Sequence, residues 1–321
     1  VAVGDIQAFI QYIRNFTQPI AQVAQVTTML QSTAAAAERV FEFLDGEEEP
    51  TDSSACTLGP LKGSVTFNHV RFGYDSSRPV IKDFNASVES GMKVAIVGPT
   101  GAGKTTMVKL LMRLYELDGG SISIDGKDIA QLDRDDLRSH FAMVLQDAWL
   151  FNGTIRDNIR YGRLDATDAE IERASQAARI DHFIHTLPEG YQMVVNEESS
   201  NISQGQRQLI TLARAILANP SILILDEATS SVDTRTEALI QQAMDHLMEG
   251  RTSFIIAHRL STIQNADLIL VMEDGDIVEQ GTHEQLLAKG GSYAHLYRAQ
   301  FERTVLQNHA TIHLGKEEVH R

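Results

Sequence analysis

Among 321 residues there is one cysteine, Cys56, and one tryptophan, Trp149. A single thiol excludes an intrachain disulfide framework and suits a reducing compartment. Cys56 sits in a polar stretch, which gives it no reactive surroundings. Positive charge is also scarce. The chain has 28 Lys and Arg against 43 Asp and Glu, a net charge of −15, and an isoelectric point near 5.1. That balance argues against a nucleic-acid-binding face, which needs clustered basic residues. It leaves nucleotides open, because local backbone dipoles and one or two cations hold them. No secretory signal peptide is recognisable. The chain begins at Val1 rather than Met, as a piece of a longer protein would. What remains is long enough for a large core and two lobes.

The most specific segment is GPTGAGKT, residues 98–105. It follows KVAIV, an apolar β-branched run that predicts a buried strand. It precedes TTMVKLLMRLYE, whose periodicity predicts a helix over 105–116. Strand, Gly-rich loop and helix is the order that a phosphate cradle needs. Gly98, Gly101 and Gly103 let the backbone curl so that N–H groups point at phosphate oxygens. The positive end of the following helix adds to that field. Lys104 has the reach for β- and γ-phosphates, and the Thr105 hydroxyl is a Mg²⁺ ligand of the right hardness.

A second segment, ILILDE at 222–227, joins four aliphatic residues to two carboxylates. Four aliphatics suit a central parallel strand covered on both faces. Asp226 then emerges at the strand's carboxyl end, where open α/β sheets place their ligands. Its expected role is to hold Mg²⁺ opposite Thr105. Glu227, one residue on, is placed to polarise an attacking water.

Along the chain, residues 4–45 carry one long helical pattern, and Pro19 is expected to kink it. About 40 helical residues span roughly 60 Å, more than the ~30 Å of a bilayer core. The stretch is nevertheless rich in Gln and carries Asp5 and Arg14, so hydropathy alone does not make it a membrane span. An amphipathic helix on a soluble domain and a membrane helix with its polar face turned into a bundle both fit. Residues 46–62 read as an exposed linker, 63–302 as a globular region and 303–321 as a weakly patterned tail. Strands are expected at GSVTFNHVRFGY, PVIKDFNASVESGMK, SISIDGKDI, ILILDE, TSFIIAH and LILVMEDG, with mainly helical structure over 147–218.

With these motifs in place, the chain resembles the nucleotide-binding domain of an ATP-binding-cassette exporter over 63–302. The resemblance implies an α/β phosphate-loop NTPase core with an antiparallel β-subdomain and a helical subdomain. It also implies that 1–45 form the last transmembrane helix and its cytoplasmic extension. Tyr74, in FGYDSS, matches the aromatic that stacks on adenine; alone it reads as a surface aromatic. Thr100, Ala102 and Thr106 join the loop residues named above as nucleotide contacts. Gln146, in MVLQDAWLF, matches the glutamine that senses Mg²⁺ and the γ-phosphate. Trp149, Leu150 and Phe151 beside it read as a contact for a coupling helix or as core. His258, in IIAHRL, matches the switch histidine, so Glu227, His258, Lys104 and Gln146 are the implied catalytic set. SSVD at 230–233 matches the loop that touches the opposite subunit through Asp233.

ISQGQRQ at 202–208 aligns with the signature LSGGQ. Ser203, Gly205 and Gln206 are then expected at the γ-phosphate of ATP held by the other subunit. Gln204 departs from the usual Gly and crowds an approach that Gly permits. That departure favours a heterodimer with a second half-transporter over a homodimer. The implied cofactors are ATP and Mg²⁺. The implied setting is the inner or plasma membrane, with this domain on the cytoplasmic side and a drug, lipid or peptide as cargo, and no nucleic acid. Competing readings are a soluble cassette ATPase of DNA repair or translation, an importer subunit, and a regulatory half that binds ATP without turnover. The acidic charge and leading helix oppose the first and the fused helix the second. Glu227 and His258 oppose the third.

Overall fold

The computed structural model describes residues 2–46, 48–49, 59–75, 77–145, 148–196, 201–226, 232–257 and 259–299. The chain divides into two compact units, Val1–Ser53 and Ser54–Arg321, with the boundary inside the expected linker. Cys56 and the 303–321 tail lie outside the described residues.

The first unit is a single helix, α1 (Val3–Leu44), which runs through Pro19 without ending. Apolar residues recur at alternating steps of three and four at Ile6, Phe9, Ile13, Phe16, Ile20 and Val23, and the same register returns at Leu30, Phe41 and Leu44. That spacing keeps them on one face. The opposite face carries Gln11, Gln18, Gln25, Ser32 and Arg39 at steps of seven. Thr17, Thr27 and Thr28 return their hydroxyl protons to Ile13, Val23 and Ala24 carbonyls at 3.0, 2.9 and 3.1 Å. Among the described residues, no helix is long and apolar enough to cross a membrane. The physical reason is the Gln-rich face, which dilutes the apolar one. The membrane helix implied by resemblance therefore gains nothing from hydropathy.

The second unit holds two main sheets. One is antiparallel, built from β1 (Val65–Phe72), β2 (Ile81–Val88), β4 (Gly119–Ile124) and β5 (Lys127–Asp128) in the order β2-β1-β4-β5. The other contains β3 (Lys93–Val97), β6 (Phe141–Val144), β9 (Ile222–Asp226), β10 (Thr252–Ile256), β11 (Leu268–Glu273) and β12 (Asp276–Gly281). Its order is β12-β11-β3-β10-β9-β6, parallel except for the edge strand β12. The seven expected strands, KVAIV among them, are all present. Two strands of this sheet, β6 and β12, were not anticipated, nor was the short hairpin β7 (Gly153–Thr154) with β8 (Val194–Val195).

Side chains alternate along a strand, so the parallel sheet feeds two cores. Val94, Ile96, Ile222, Ile224, Phe254, Ile256, Leu270 and Met272 face the antiparallel sheet. Ala95, Val97, Leu223, Leu225, Ile255, Ile269 and Val271 face the helices on the other side. Phe67 of β1 meets Phe254 of β10 edge to face at 6.1 Å, joining the two sheets. This two-sided burial explains why the strands read as continuous apolar runs.

The helices are α2 (Lys104–Leu111), α3 (Arg134–Ser139), α4 (Ile155–Arg160), α5 (Asp168–Ala177), α6 (Asp181–Thr186), α7 (Gln204–Ala218), α8 (Thr234–Met248), α9 (Leu260–Gln264), α10 (His283–Lys289) and α11 (Ser292–Tyr297). Reciprocal caps start several of them, such as Thr154 with Asp157 and Ser203 with Gln206. They satisfy free N–H groups that otherwise lack partners.

One boundary differs from expectation. The helix after the phosphate loop stops at Leu111 rather than running to 116. Arg113 takes a left-handed φ of 49°. Its N–H bonds Leu110 O and the Leu114 N–H bonds Lys109 O, both at 2.9 Å, closing the turn that usually needs Gly. The buried Arg113 guanidinium holds it there, donating to Leu132 O at 2.7 Å and Glu116 Oε1 at 3.0 Å. Arg138 adds a bond to Arg113 O at 2.9 Å.

Candidate active site

The loop between β3 and α2 has the curl its sequence requires. Gly98, Gly101 and Gly103 have φ of 151°, 85° and 98°. A Cβ on Gly98 would lie 2.1 Å from Met272 O, and one on Gly103 2.8 Å from Ile81 Cδ1. Two of the three glycines are thus fixed by close approach of β11 and β2 as well as by φ. Lys104 opens α2, and its Nζ donates to Gly98 O at 2.7 Å and Pro99 O at 2.8 Å. Burial pulls the Lys104 ammonium below the usual lysine range, and the negative charge of Asp226 opposes that pull. Local carbonyls and an opposing carboxylate therefore hold a partly desolvated cation at the mouth of the loop.

Lys104, Thr105, Thr106, Thr100, Gly101 and Gly103 line one cavity of ≈ 340 Å³ together with Asp226 at the end of β9. β10 lies between β3 and β9 and contributes Ile256 to the wall. Val80 also lines the cavity, a contribution from the antiparallel sheet that no sequence signal revealed. Ala102 is buried beneath the loop. Tyr74 comes to the same place: its hydroxyl lies 3.2 Å from Thr106 Oγ1. Its half-exposed ring packs edge to face on Phe72 at 5.0 Å and Tyr115 at 5.2 Å, with Lys109 Nζ 5.9 Å above. Gln146, Glu227, Ser230 and His258 lie outside the described residues.

The donors suit a hard cation. A hydroxyl and a carboxylate oxygen share one cavity, and Mg²⁺ takes few protein ligands and completes its shell with phosphate and water. Among the described residues no cluster of three or more His, Cys, Asp or Glu could hold a metal by protein ligands alone. Thr105 and Asp226 therefore fit an ion that arrives with a phosphate group.

The signature segment starts α7. Ser203 N–H donates to Gln206 Oε1 at 2.9 Å, and Gln206 N–H to Ser203 Oγ at 3.3 Å. Gly205 is buried. A Cβ there would lie 2.4 Å from Thr236 Cγ2 and 3.0 Å from Val232 Cγ1. The residue thus has a reason inside its own chain, the close packing of α7 on the start of α8. Asp233 is likewise engaged at home. Its Oδ1 accepts from Thr236 N at 3.0 Å and Arg235 N at 3.1 Å, capping α8. These hydrogen bonds, that from the Thr236 backbone foremost, hold its carboxyl below the usual range.

The three residues after position 148 separate into surface and core. Leu150 is buried and Trp149 is 63% exposed. Trp149 shares a surface groove of ≈ 300 Å³ with Leu145, Tyr161 and Arg214. Arg214 braces this groove, donating to Asn158 O at 2.9 Å, Asn158 Oδ1 at 3.1 Å and Trp149 O at 3.3 Å, with its guanidinium 5.2 Å from the Tyr161 ring centre.

Loop, cation, strand-end carboxylate and aromatic around one cavity define a phosphate-loop nucleotide-binding ATPase domain. Residues 81–230 match the family model described as ABC transporter. The chain belongs to the ABC transporter family and carries its ATPase domain. It is 57% identical, over 93% of its length, to a fatty acid ABC transporter ATP-binding/permease protein of Mycobacterium bovis, covering 47% of that protein. It is 46% identical to an ATP-dependent lipid A-core flippase of Saccharophagus degradans, over 90% of this chain and 49% of that one. A solved bacterial Atm1-family ABC exporter with ATP bound superposes with a TM-score of 0.77 at 40% identity, over 94% of this chain and 53% of that one. The chain spans about half the length of the curated relatives it matches.

Proposed function

We propose that this domain binds and hydrolyses ATP to drive an exporter, and that it works as one of two halves closing head to tail. The observation that carries the reading is the convergence of Lys104, Thr105 and Asp226 on one cavity, with Tyr74 bonded to Thr106 at its edge. ATP would lie with adenine on Tyr74 and phosphates in the loop. Backbone N–H groups and Lys104 would stabilise charge on the transferring phosphoryl group. Mg²⁺, held by Thr105, Asp226 and Gln146, would supply neutralisation of the phosphate oxygens. Glu227 would orient the attacking water, and His258 would bridge it to the γ-phosphate. ADP and phosphate then leave and the halves separate.

The partner half would place its own phosphate loop against Ser203–Gln206. Gln204 in this signature favours a heterodimer, in which the altered signature serves one site only. Trp149 and its groove offer the contact for a membrane-domain helix. The α1 helix is proposed as the last membrane helix and its cytoplasmic extension. Its apolar stripe would pack in a bundle while the Gln stripe faces a polar path, which is how a helix of modest hydropathy can sit in a membrane. The names of the relatives favour a lipid-class amphiphile over a peptide as cargo, and the assembly is proposed to sit in the cell membrane with this domain on the cytoplasmic side.

Glu227→Gln tests the reading. It keeps size and hydrogen bonding and removes the charge that orients water. ATP should still bind while hydrolysis falls by roughly 10²-fold or more, as for loss of a positioned base. Turnover near wild type would remove Glu227 from the mechanism. In a purified heterodimer the same change in the partner should do little. A fully active transporter made from this gene product alone, with two equivalent sites, would refute the asymmetric arrangement.

A further inference from the structure

A cleft of ≈ 640 Å³ opens between the α5–α6 junction, α7 and α8, apart from the nucleotide cavity. Its size falls within the ~300–1,000 Å³ typical of small-molecule sites. Ile180, Phe183, Leu209 and Leu239 give it an apolar wall. Arg179, His182 and Arg235 also line it. Among the described residues, none of these three side chains makes a hydrogen bond or an ion pair. The acid in the same lining, Asp181, is already committed: it accepts from Tyr191 Oη at 2.9 Å and lies 3.3 Å from His185 Nδ1. In a chain with net charge −15, two unpaired guanidiniums and an imidazole thus gather over one apolar surface.

The backbone at Arg179 strengthens the point. Its φ is 61°, and it closes α5 through Arg179 N→Gln176 O and Ile180 N→Ser175 O bonds, both 3.0 Å. Gly or Asn is the usual occupant of such a position. Arg113 occupies the equivalent position after α2, but its guanidinium is buried and bonded within the fold. That of Arg179 is not bonded, so the fold does not account for an Arg there. Gln206 lines the same cleft while its Oε1 caps Ser203, so the cleft adjoins the signature turn.

We propose that this cleft is a regulatory site for a single-chain amphiphile with an anionic head, the head held by Arg179 and Arg235 and the chain laid on Phe183, Leu209 and Leu239. Guanidinium forks match carboxylate and phosphate heads, and the wall matches a hydrocarbon tail. Occupancy beside Gln206 alters the signature turn and so alters ATP turnover.

Laurate below its micellar concentration is the probe, titrated calorimetrically into the 321-residue chain without nucleotide. 1-Dodecanol, dodecyltrimethylammonium, acetate and inorganic phosphate are the comparisons. The variant is Arg179→Asn with Arg235→Gln; Asn tolerates the left-handed backbone, and a melting curve verifies the fold. Laurate is expected to bind saturably at one site, at least tenfold more tightly than each comparison, and at least tenfold more weakly to the double variant. Laurate is also expected to change the wild-type ATPase rate at least twofold and that of the double variant not at all. Equal binding of the alcohol or the ammonium overturns the proposal, as does equal binding of a bare anion or an unchanged affinity in the variant. A variant that instead shifts the monomer–dimer equilibrium, with no laurate site, makes the cleft a subunit contact and also overturns it. Binding without a change in turnover overturns the regulatory role. Only that arm rests on the ATPase reading; the calorimetry does not, so the two failures are distinguishable.

Discussion

Gly205→Ala separates what the signature owes to ligand from what it owes to its own fold. Gly205 has an ordinary helical backbone, so Ala introduces no torsional strain and the added methyl is the whole perturbation. That methyl would stand 2.4 Å from Thr236 Cγ2 and 3.0 Å from Val232 Cγ1. Contacts this short force α7 and the start of α8 apart. Overpacking of a tight interior costs about 1–3 kcal/mol, and Ala over Gly in a helix returns roughly 0.5–1 kcal/mol. A net loss on the order of 1–2 kcal/mol follows, which for a domain of this size lowers Tm by roughly 2–8 °C. Thr236→Ser supplies the second arm. It removes Cγ2, the nearest obstacle, and keeps the hydroxyl beside Asp233. Thermal melts of wild type, both single variants and the double variant, without nucleotide, complete the cycle. The double variant should be more stable than the sum of the singles implies by about 1 kcal/mol, as expected for residues in direct contact. A Tm for Gly205→Ala at or above wild type, or strict additivity, would refute the packing argument. Gly205 would then owe its identity to the ligand alone.

Two further outcomes follow from the site and the caps. Tyr74→Ala should weaken ATP binding by about 1 kcal/mol, the worth of one aromatic stack, with kcat nearly unchanged; an unaltered dissociation constant would end the stacking assignment. Tyr74→Phe should also show a small loss, because the hydroxyl bonds Thr106 at 3.2 Å. Glu170 is held down to about 2 by the Thr167 backbone N–H, the Thr167 hydroxyl and Arg163. A depressed carboxyl stabilises the fold above its unfolded value of about 4.5 and loses that contribution as pH falls through about 2. Glu170→Gln should therefore lower Tm at neutral pH, and the gap to wild type should close between about pH 4.5 and 2; a gap independent of pH across that window would disprove the linkage.

The geometry of the phosphate loop was legible because its residues are constrained locally. Three glycines with positive φ, a lysine and a following helix sit within eight positions. The apolar run of β9 delivers Asp226 to the sheet's carboxyl edge with no intervening loop. What escaped was set by partners far along the chain. The end of α2 could not be placed from 105–116, since Arg113 substitutes for Gly only because Leu132 O and Glu116 hold its guanidinium. The run Trp149-Leu150-Phe151 has no periodicity, so only the fold could assign Leu150 to the core and leave Trp149 on the groove. Strand β6 is four residues long with mixed burial, and gives a weaker pattern than β9 beside it.

The signature shows how far a motif reading reaches. Ser203 and Gln206 close a capping box whichever ligand they meet, and Asp233 caps α8 by accepting from the Arg235 and Thr236 backbone N–H groups. Gly205 is sterically demanded by Thr236, 31 positions later. These residues therefore have structural reasons of their own, a rigid start to α7 and its close packing on α8. Gln204 belongs to neither the capping pair nor the tight contact. It has an interaction of its own within the chain, so its departure from Gly bears on this fold as well as on whatever approaches α7 from outside. Gln204→Gly should alter ATP turnover at the proposed composite site, with a loss of Tm smaller than that of Gly205→Ala. A Tm shift as large as that of Gly205→Ala would show instead that Gln204 is part of the packing.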